Sequence, residues 1–196
     1  DAEGARDALD TLLEIDPENA AAWQLKGDLS LFKKELNAAL TDYDKAFKLD
    51  PKNYNVLFKR ALLSLQLGDA ESAQVDTTAL LLVAPQHPGG NYIKGLLHFE
   101  AAEYEEAITT LSLAEPAFRQ FPQILFFLGS AQLVEGNFDR ARVQASRFHD
   151  LVPESIRGRK LLATIRLQEG KDQEVEKLLR PVIDANPNDV GALNLM

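Results

Sequence analysis

The chain has 196 residues, 21 Lys plus Arg against 30 Asp plus Glu, a formal net charge of −9, 45% hydrophobic residues and no cysteine. The missing cysteine excludes a disulfide framework, a thiolate nucleophile, a zinc ribbon and an iron–sulfur cluster. No apolar run approaches the roughly 18 residues of a membrane span, and the acidic balance argues against nucleic acid, whose binders concentrate positive charge. The first residue is Asp1, with no initiator Met and no signal sequence, so the chain reads as a piece trimmed from a longer one.

The prolines show an internal repeat. Pro17, Pro51, Pro85, Pro153 and Pro187 are separated by 34, 34, 68 and 34 residues, and the skipped position, 119, is Arg. Five full units follow without insertion: 20–53, 54–87, 88–121, 122–155 and 156–189. Residues 1–19 fit the second half of a preceding unit and 190–196 the opening of a following one, so the array is expected to be cut at both ends.

Each unit reads as helix, turn, helix. Asn19, Asn53, Ser155 and Asp189 share a column at the unit junctions and are expected to cap the following helix. Midway, Gly68-Asp69, Gly136-Asn137 and Gly170-Lys171 supply turn chemistry. A small-residue column on the first helices, Gly27, Ala61, Gly95, Gly129 and Ala163, and one on the second, Ala5, Ala39, Ala73, Ala107, Ala141 and Val175, predict close helix approach. Leu29, Leu63, Leu97, Ala131 and Ile165 predict a buried stripe. Pro116 and Pro181 fall inside second helices, where the lost N–H and the ring clash predict a shortened or kinked helix.

The pattern resembles the tetratricopeptide repeat family: Trp23, Gly27, Ala39, Tyr43, Ala46 and Pro51 match its motif in the first full unit, while Lys26 and Ser30 stand where the family has Leu and Tyr. The resemblance implies an all-α, right-handed superhelical solenoid of antiparallel helix pairs, with first helices lining a concave groove. Finer runs, LeuLysGlyAspLeu at 25–29, LysLeuAspProLysAsn at 48–53, AlaProGlnHisPro at 84–88, TyrIleLysGlyLeuLeu at 92–97, ArgLysLeuLeuAlaThr at 159–164 and LeuLeuArgPro at 178–181, look like the repeat lipoproteins of bacterial PEP-CTERM/exosortase systems. That likeness implies an exported, periplasmic or membrane-anchored scaffold near exopolysaccharide production.

Catalytic constellations are not legible. His87, His98 and His149 share no ligand spacing. Gly89-Gly90 is an isolated pair rather than a phosphate loop. Glu103, Glu105 and Glu106 fall at a turn and helix start, where anions suit the helix dipole. No Ser stands with a His and an acid at recognisable spacing. The sequence therefore predicts no enzyme, no metal and no cofactor.

The first-helix columns are the better candidate. One reads Gln24, Phe58, Tyr92, Phe126 and Lys160; the next reads Asp28, Leu62, Leu96, Ser130 and Thr164; a third includes Leu31, Leu65 and Phe99. Spacings of four and seven share a helical face. Phe58, Tyr92, Phe99 and Phe126, with Leu62 and Leu65, are expected to form an apolar partner surface bounded by polar Gln24, Asp28 and Lys160. Packing between helices is the competing role for the same aromatics. The Lys and Asn clamp that holds chaperone tails in cochaperone repeats is absent, since its columns carry Gln24 with Asp28 and Phe58 with Leu62.

Charge is uneven: residues 100–115 hold five acids and no Lys or Arg, whereas Arg140, Arg142, Arg147, Arg157, Arg159, Lys160 and Arg166 face only Asp150 and Glu154. Glu106 and Arg140 share a column and are expected to pair. An anionic partner would instead meet Arg157 and Lys160. The expected partner is a protein or peptide segment held by a non-catalytic scaffold; the alternatives are an anionic polysaccharide or a spacer role in a longer array. Apolar faces at the two cut ends predict concentration-dependent homodimers.

Overall fold

A computed structural model describes residues 2–196; Asp1, which opens the expected partial unit, lies outside them. Among the described residues the chain is helical without strands: α1 (Ala2–Ile15), α2 (Ala20–Phe32), α3 (Leu36–Leu49), α4 (Tyr54–Gln66), α5 (Ala70–Val83), α6 (Pro88–Glu100), α7 (Tyr104–Ala114), α8 (Gln123–Val134), α9 (Phe138–Leu151), α10 (Ile156–Gln168), α11 (Asp172–Ala185) and α12 (Val190–Leu193). From α3 onward the second helices begin at Leu36, Ala70, Tyr104, Phe138 and Asp172, every 34 residues. The chain divides into two compact units, one ending at Ile93 and the other spanning Lys94–Met196.

The turns inside the helix pairs repeat atom for atom. Lys34, Gly68, Ala102, Gly136 and Gly170 all take positive φ, at 62, 82, 59, 73 and 70°. The next residue's N–H then reaches back five residues: Glu35 to the Ser30 carbonyl at 2.9 Å, Asp69 to Ser64 at 2.9 Å, Glu103 to His98 at 2.9 Å, Asn137 to Gln132 at 2.7 Å and Lys171 to Arg166 at 2.9 Å. This closes the first helix by satisfying one of its orphan carbonyls. Glycine reaches that backbone freely, whereas Lys34 and Ala102 hold it against a Cβ penalty.

Helix starts are fixed by side-chain caps. Asn19 Oδ1 accepts from the Ala22 N–H at 3.0 Å, Asn53 Oδ1 from Asn55 and Val56 at 3.1 and 3.3 Å, Ser155 Oγ from Gly158 at 3.2 Å, and Asp189 Oδ1 from Ala192 at 2.9 Å. In the same column His87 caps α6, its Nδ1 accepting from the Gly90 N–H at 3.0 Å. Pro88, already lacking an N–H, takes the first helical position beside it. Phe121 occupies the column before α8 and has no side-chain acceptor, and that helix begins one residue late, at Gln123, without a side-chain cap.

The small columns sit where helices press together. A Cβ on Gly27 would lie 2.6 Å from the Tyr43 ring, and one on Gly95 2.5 Å from the Leu111 side chain. Ala61, Ala163, Ala39, Ala73, Ala107 and Ala141 are fully buried, and Val175 nearly so. Ala5 is exposed although it shares their column. Tyr43 is the anchor of the first pair: its ring is fully buried, its hydroxyl donates to Asp28 Oδ1 at 2.6 Å, and burial pushes its phenol far above the ordinary range.

The two second-helix prolines behave differently. Pro116 ends α7 after 11 residues and sits in a 3₁₀ turn, Glu115–Ala117. Pro181, by contrast, does not shorten α11, which runs 14 residues to Ala185. Pro181 and Lys177, whose carbonyl loses its donor, are both exposed, so water can take the freed carbonyl. The expected pairing of Glu106 with Arg140 is also not formed: both side chains are exposed, and neither makes an ion pair among the described residues.

Candidate partner-binding faces

In the unit ending at Ile93, the polar members of the first-helix face are already engaged. Gln24 Oε1 accepts from Asn53 Nδ2 at 2.9 Å. Asp28 is gripped by Lys59 Nζ at 2.6 and 2.7 Å as well as by the Tyr43 hydroxyl. Phe58 is half-buried; its ring lies against the backbone of Gly89, where a Cβ would meet it at 2.5 Å, and 5.6 Å from the His87 ring. Leu62 and Leu65 are half-buried. Tyr92 is only 7% exposed, and burial raises its phenol to about 12, so its ring serves packing far more than a partner. The aromatic column thus divides: Phe58 keeps exposed surface and Tyr92 keeps almost none.

In the second unit an aromatic cluster forms around Phe127, a residue that the columns did not single out. Phe126 meets it edge-on at 5.2 Å and Phe99 at 5.1 Å, while Tyr104 packs on Phe99 at 5.4 Å and Phe148 on Phe126 at 5.5 Å. The Arg157 guanidinium lies 4.7 Å from the Phe126 centroid and 5.8 Å from that of Phe127. Arg157 is exposed, and no carboxylate among the described residues pairs with it. A guanidinium drawn to an aromatic face by cation–π attraction still has N–H donors to offer a carboxylate. Lys160, named beside it, is instead committed: its Nζ donates to Asp189 Oδ1 at 2.6 Å, which together with the Ala192 cap holds the Asp189 carboxyl below its usual range.

The rest of the basic stretch is largely neutralised within the same unit. Arg142 reaches Asp139 at 3.1 Å and Glu169 at 3.3 Å, Arg147 pairs with Glu115, Arg159 stands 3.7 Å from Glu154, and Arg166 reaches Glu169 and Glu174 at 2.8 and 3.0 Å. Glu169, hydrogen-bonded first by Arg166 and then by Lys171, is held at about 2. Among the described residues, Arg140 and Arg157 remain as the cations of that stretch without a carboxylate partner. Among the described residues no three His, Asp or Glu side chains converge as metal ligands, and no helix is long and apolar enough to cross a membrane.

These helix pairs define an all-α solenoid of tetratricopeptide-repeat type. Residues 20–53 match the family model described as tetratricopeptide repeat. Across the whole chain the fold is similar to that in the structure of the Cut9–Hcn1 hetero-tetramer of the anaphase-promoting complex, with a TM-score of 0.82, 17% identity and coverage of 100% of this chain and 39% of that one. It is similar to PilF of Pseudomonas aeruginosa, with a TM-score of 0.81, 17% identity and coverage of 98% and 97%. It is also similar to YrrB, described as a repeat protein with an unusual peptide-binding site, with a TM-score of 0.72, 19% identity and coverage of 96% and 97%. In sequence, 92 residues are 35% identical to a tetratricopeptide repeat and J domain-containing co-chaperone of Fusarium oxysporum, covering 47% of this chain and 18% of the relative. A further 186-residue match, 22% identical, covers 89% of this chain and 20% of the auxiliary subunit NAA15 of the N-terminal acetyltransferase A complex of Arabidopsis thaliana. The chain therefore spans about a fifth of the length of these curated relatives.

Proposed function

We propose that the chain is a non-catalytic interaction module whose units each bind a protein segment on their own first-helix face, one through the apolar contacts Phe58, Leu62 and Leu65 and the other through the cluster of Phe126, Phe127, Phe99 and Arg157. The observation that carries the reading is Arg157: an exposed guanidinium within cation–π range of Phe126 and Phe127, with no carboxylate partner among the described residues. A segment presenting a carboxylate beside an apolar side chain would satisfy both the edge donors and the ring surface. The peptide-binding site named for YrrB, on a similar fold, supports the same reading.

The test is selection of displayed peptides on the native chain with counter-selection on a Phe126→Ala, Arg157→Ala variant of unchanged helicity. Peptides that combine an acidic group with an apolar residue, and that the variant fails to hold, are expected. Recovery of the same peptides by both proteins would contradict the assignment. The residue runs resembling PEP-CTERM-system lipoproteins support a finer proposal, that the module serves at a bacterial envelope in a protein-sorting or exopolysaccharide system. Fractionation of the source cell would place the protein with the envelope, and recovery wholly in the cytosolic fraction would remove that proposal.

A further inference from the structure

Away from the first-helix faces, the second helix α5 of the unit ending at Ile93 is apolar around most of its circumference. Of its 14 residues only Glu71 and Asp76 are charged, and Asp76 is buried. A helix of that kind is expected to be covered on every side. Ala73 and Leu80 are fully buried, yet Val75, Leu82 and Val83 stand 62%, 82% and 61% exposed. Val75, Ala79 and Leu82 follow one another by four and three residues and share one face. Among the second helices this face is an exception: the Leu82 column carries Glu14, Lys48, Asp150 and Asp184 in α1, α3, α9 and α11, and Pro116 after α7. Leu82 and Val83 also line a depression of ≈ 390 Å³ with Phe47, Tyr54 and Leu57, where Lys52 is the one charged residue among the described ones. An exposed apolar face that runs into an apolar depression marks a partner site.

The charges around this face complement one another. Lys52 in the depression and Lys48, next to Phe47 in the last turn of α3, are exposed and have no carboxylate partner among the described residues. Asp50 lies between them in sequence, its Oδ1 accepting from the Lys52 N–H at 3.2 Å, so that end of the face remains positive. At the other end Glu71, one turn before Val75, is exposed and likewise unpaired among the described residues. Thr78, beside Ala79, turns its hydroxyl back to the Gln74 carbonyl at 2.7 Å and leaves the middle of the face without a free donor. Two copies laid with their α5 helices antiparallel about a two-fold axis at Ala79 set Leu82 of each against Val75 of the other. At about 1.5 Å of rise per residue, Glu71 then reaches about 6 Å beyond that contact, toward the Lys52 end of the second copy. The small Ala79 side chain lets the helices close at the axis.

We propose that the exposed face of α5 is a self-association surface, covered by the α5 of a second copy of this chain in antiparallel register, with Val75, Ala79 and Leu82 as its apolar centre and Glu71 meeting Lys52 across each end. Sedimentation equilibrium of the whole chain at concentrations up to about 0.5 mM is expected to show a monomer–dimer equilibrium. Leu82→Asp, at a position too exposed for the fold to depend on it, should raise the dissociation constant at least about tenfold, because a two-fold contact loses the leucine twice and gains two desolvated carboxylates. Glu71→Lys and Lys52→Glu should each weaken the dimer by about threefold at low salt, and the two together should restore it. Circular dichroism checks that every variant keeps its helicity. A chain that stays monomeric, which would leave α5 to a different protein, would overturn the proposal. So would a dimer unchanged by Leu82→Asp, which would put the contact elsewhere on the chain, or a combined charge reversal that stays as weak as the single ones, which would exclude the antiparallel register.

Discussion

The five intrahelical-pair turns give a test in which backbone conformation is nearly isolated. Gly136 has φ 73° with nothing within 4 Å of where a Cβ would stand, and Ala102 holds the equivalent position at φ 59°. Left-handed backbone costs a residue with a Cβ about 1–2 kcal/mol. Alanine recovers about 0.4–1 kcal/mol of that by restricting the unfolded chain. Gly136→Ala should therefore destabilise by about 0.5–1 kcal/mol, and Ala102→Gly should stabilise by a similar amount. With a urea dependence of about 2 kcal/mol/M for a chain of this size, the midpoints should move by about 0.3–0.5 M in opposite directions. Urea titration followed by far-ultraviolet circular dichroism measures both. Movement in the same direction, or a destabilised Ala102→Gly, would refute the claim that the turns are conformationally equivalent and that Ala102 is held under strain.

Other expectations follow from contacts already described. Gly27→Ala drives a methyl into the fully buried Tyr43 ring and should cost about 1–3 kcal/mol in the same titration; Gly170→Ala, with open space, should cost less. Tyr43→Phe removes the donor to Asp28, and because Lys59 still holds that carboxylate, the loss should be about 1–2 kcal/mol. His87 caps α6 through an unprotonated Nδ1, and burial lowers its pKa below the ordinary value of 6.5. The unfolded chain therefore binds its proton first as pH falls, so the His87 contribution is complete above pH 6.5 and declines as pH drops toward the lowered folded value. His87→Asn keeps an acceptor and should flatten that part of the stability profile; an unchanged slope would show that His87 is not its source.

The fold was legible because each repeat solves the same packing problem with the same spacing. Asn19, Asn53, Ser155 and Asp189 cap as their column implies, and the small residues Gly27 and Gly95 sit under large neighbours. What the columns did not carry is pairing across sequence distance. Nothing local shows that Lys160 spends its charge on Asp189, or that Asp28 is already saturated by Lys59 and Tyr43. Column membership also does not determine depth: Phe58 and Tyr92 share a register, yet the second is buried. His87 was readable as a cap from its position alone, but imidazole is not among the usual capping side chains. Phe127 is half-buried and adjoins Phe126, and its role appears only when Arg157 is seen over both rings. That Pro181 does not shorten α11 was not legible, because the solvent exposure of Pro181 and Lys177 is a tertiary property.

The most direct test of the binding account is residue-resolved: backbone chemical-shift perturbation in the labelled chain on titration with a selected acidic, apolar peptide. Shifts concentrated on α8 and the start of α10, around Phe126, Phe127 and Arg157, and abolished by Arg157→Ala, are the predicted result. Saturable binding whose shifts fall on α7, α9 and α11 while α8 and α10 stay unmoved would contradict it.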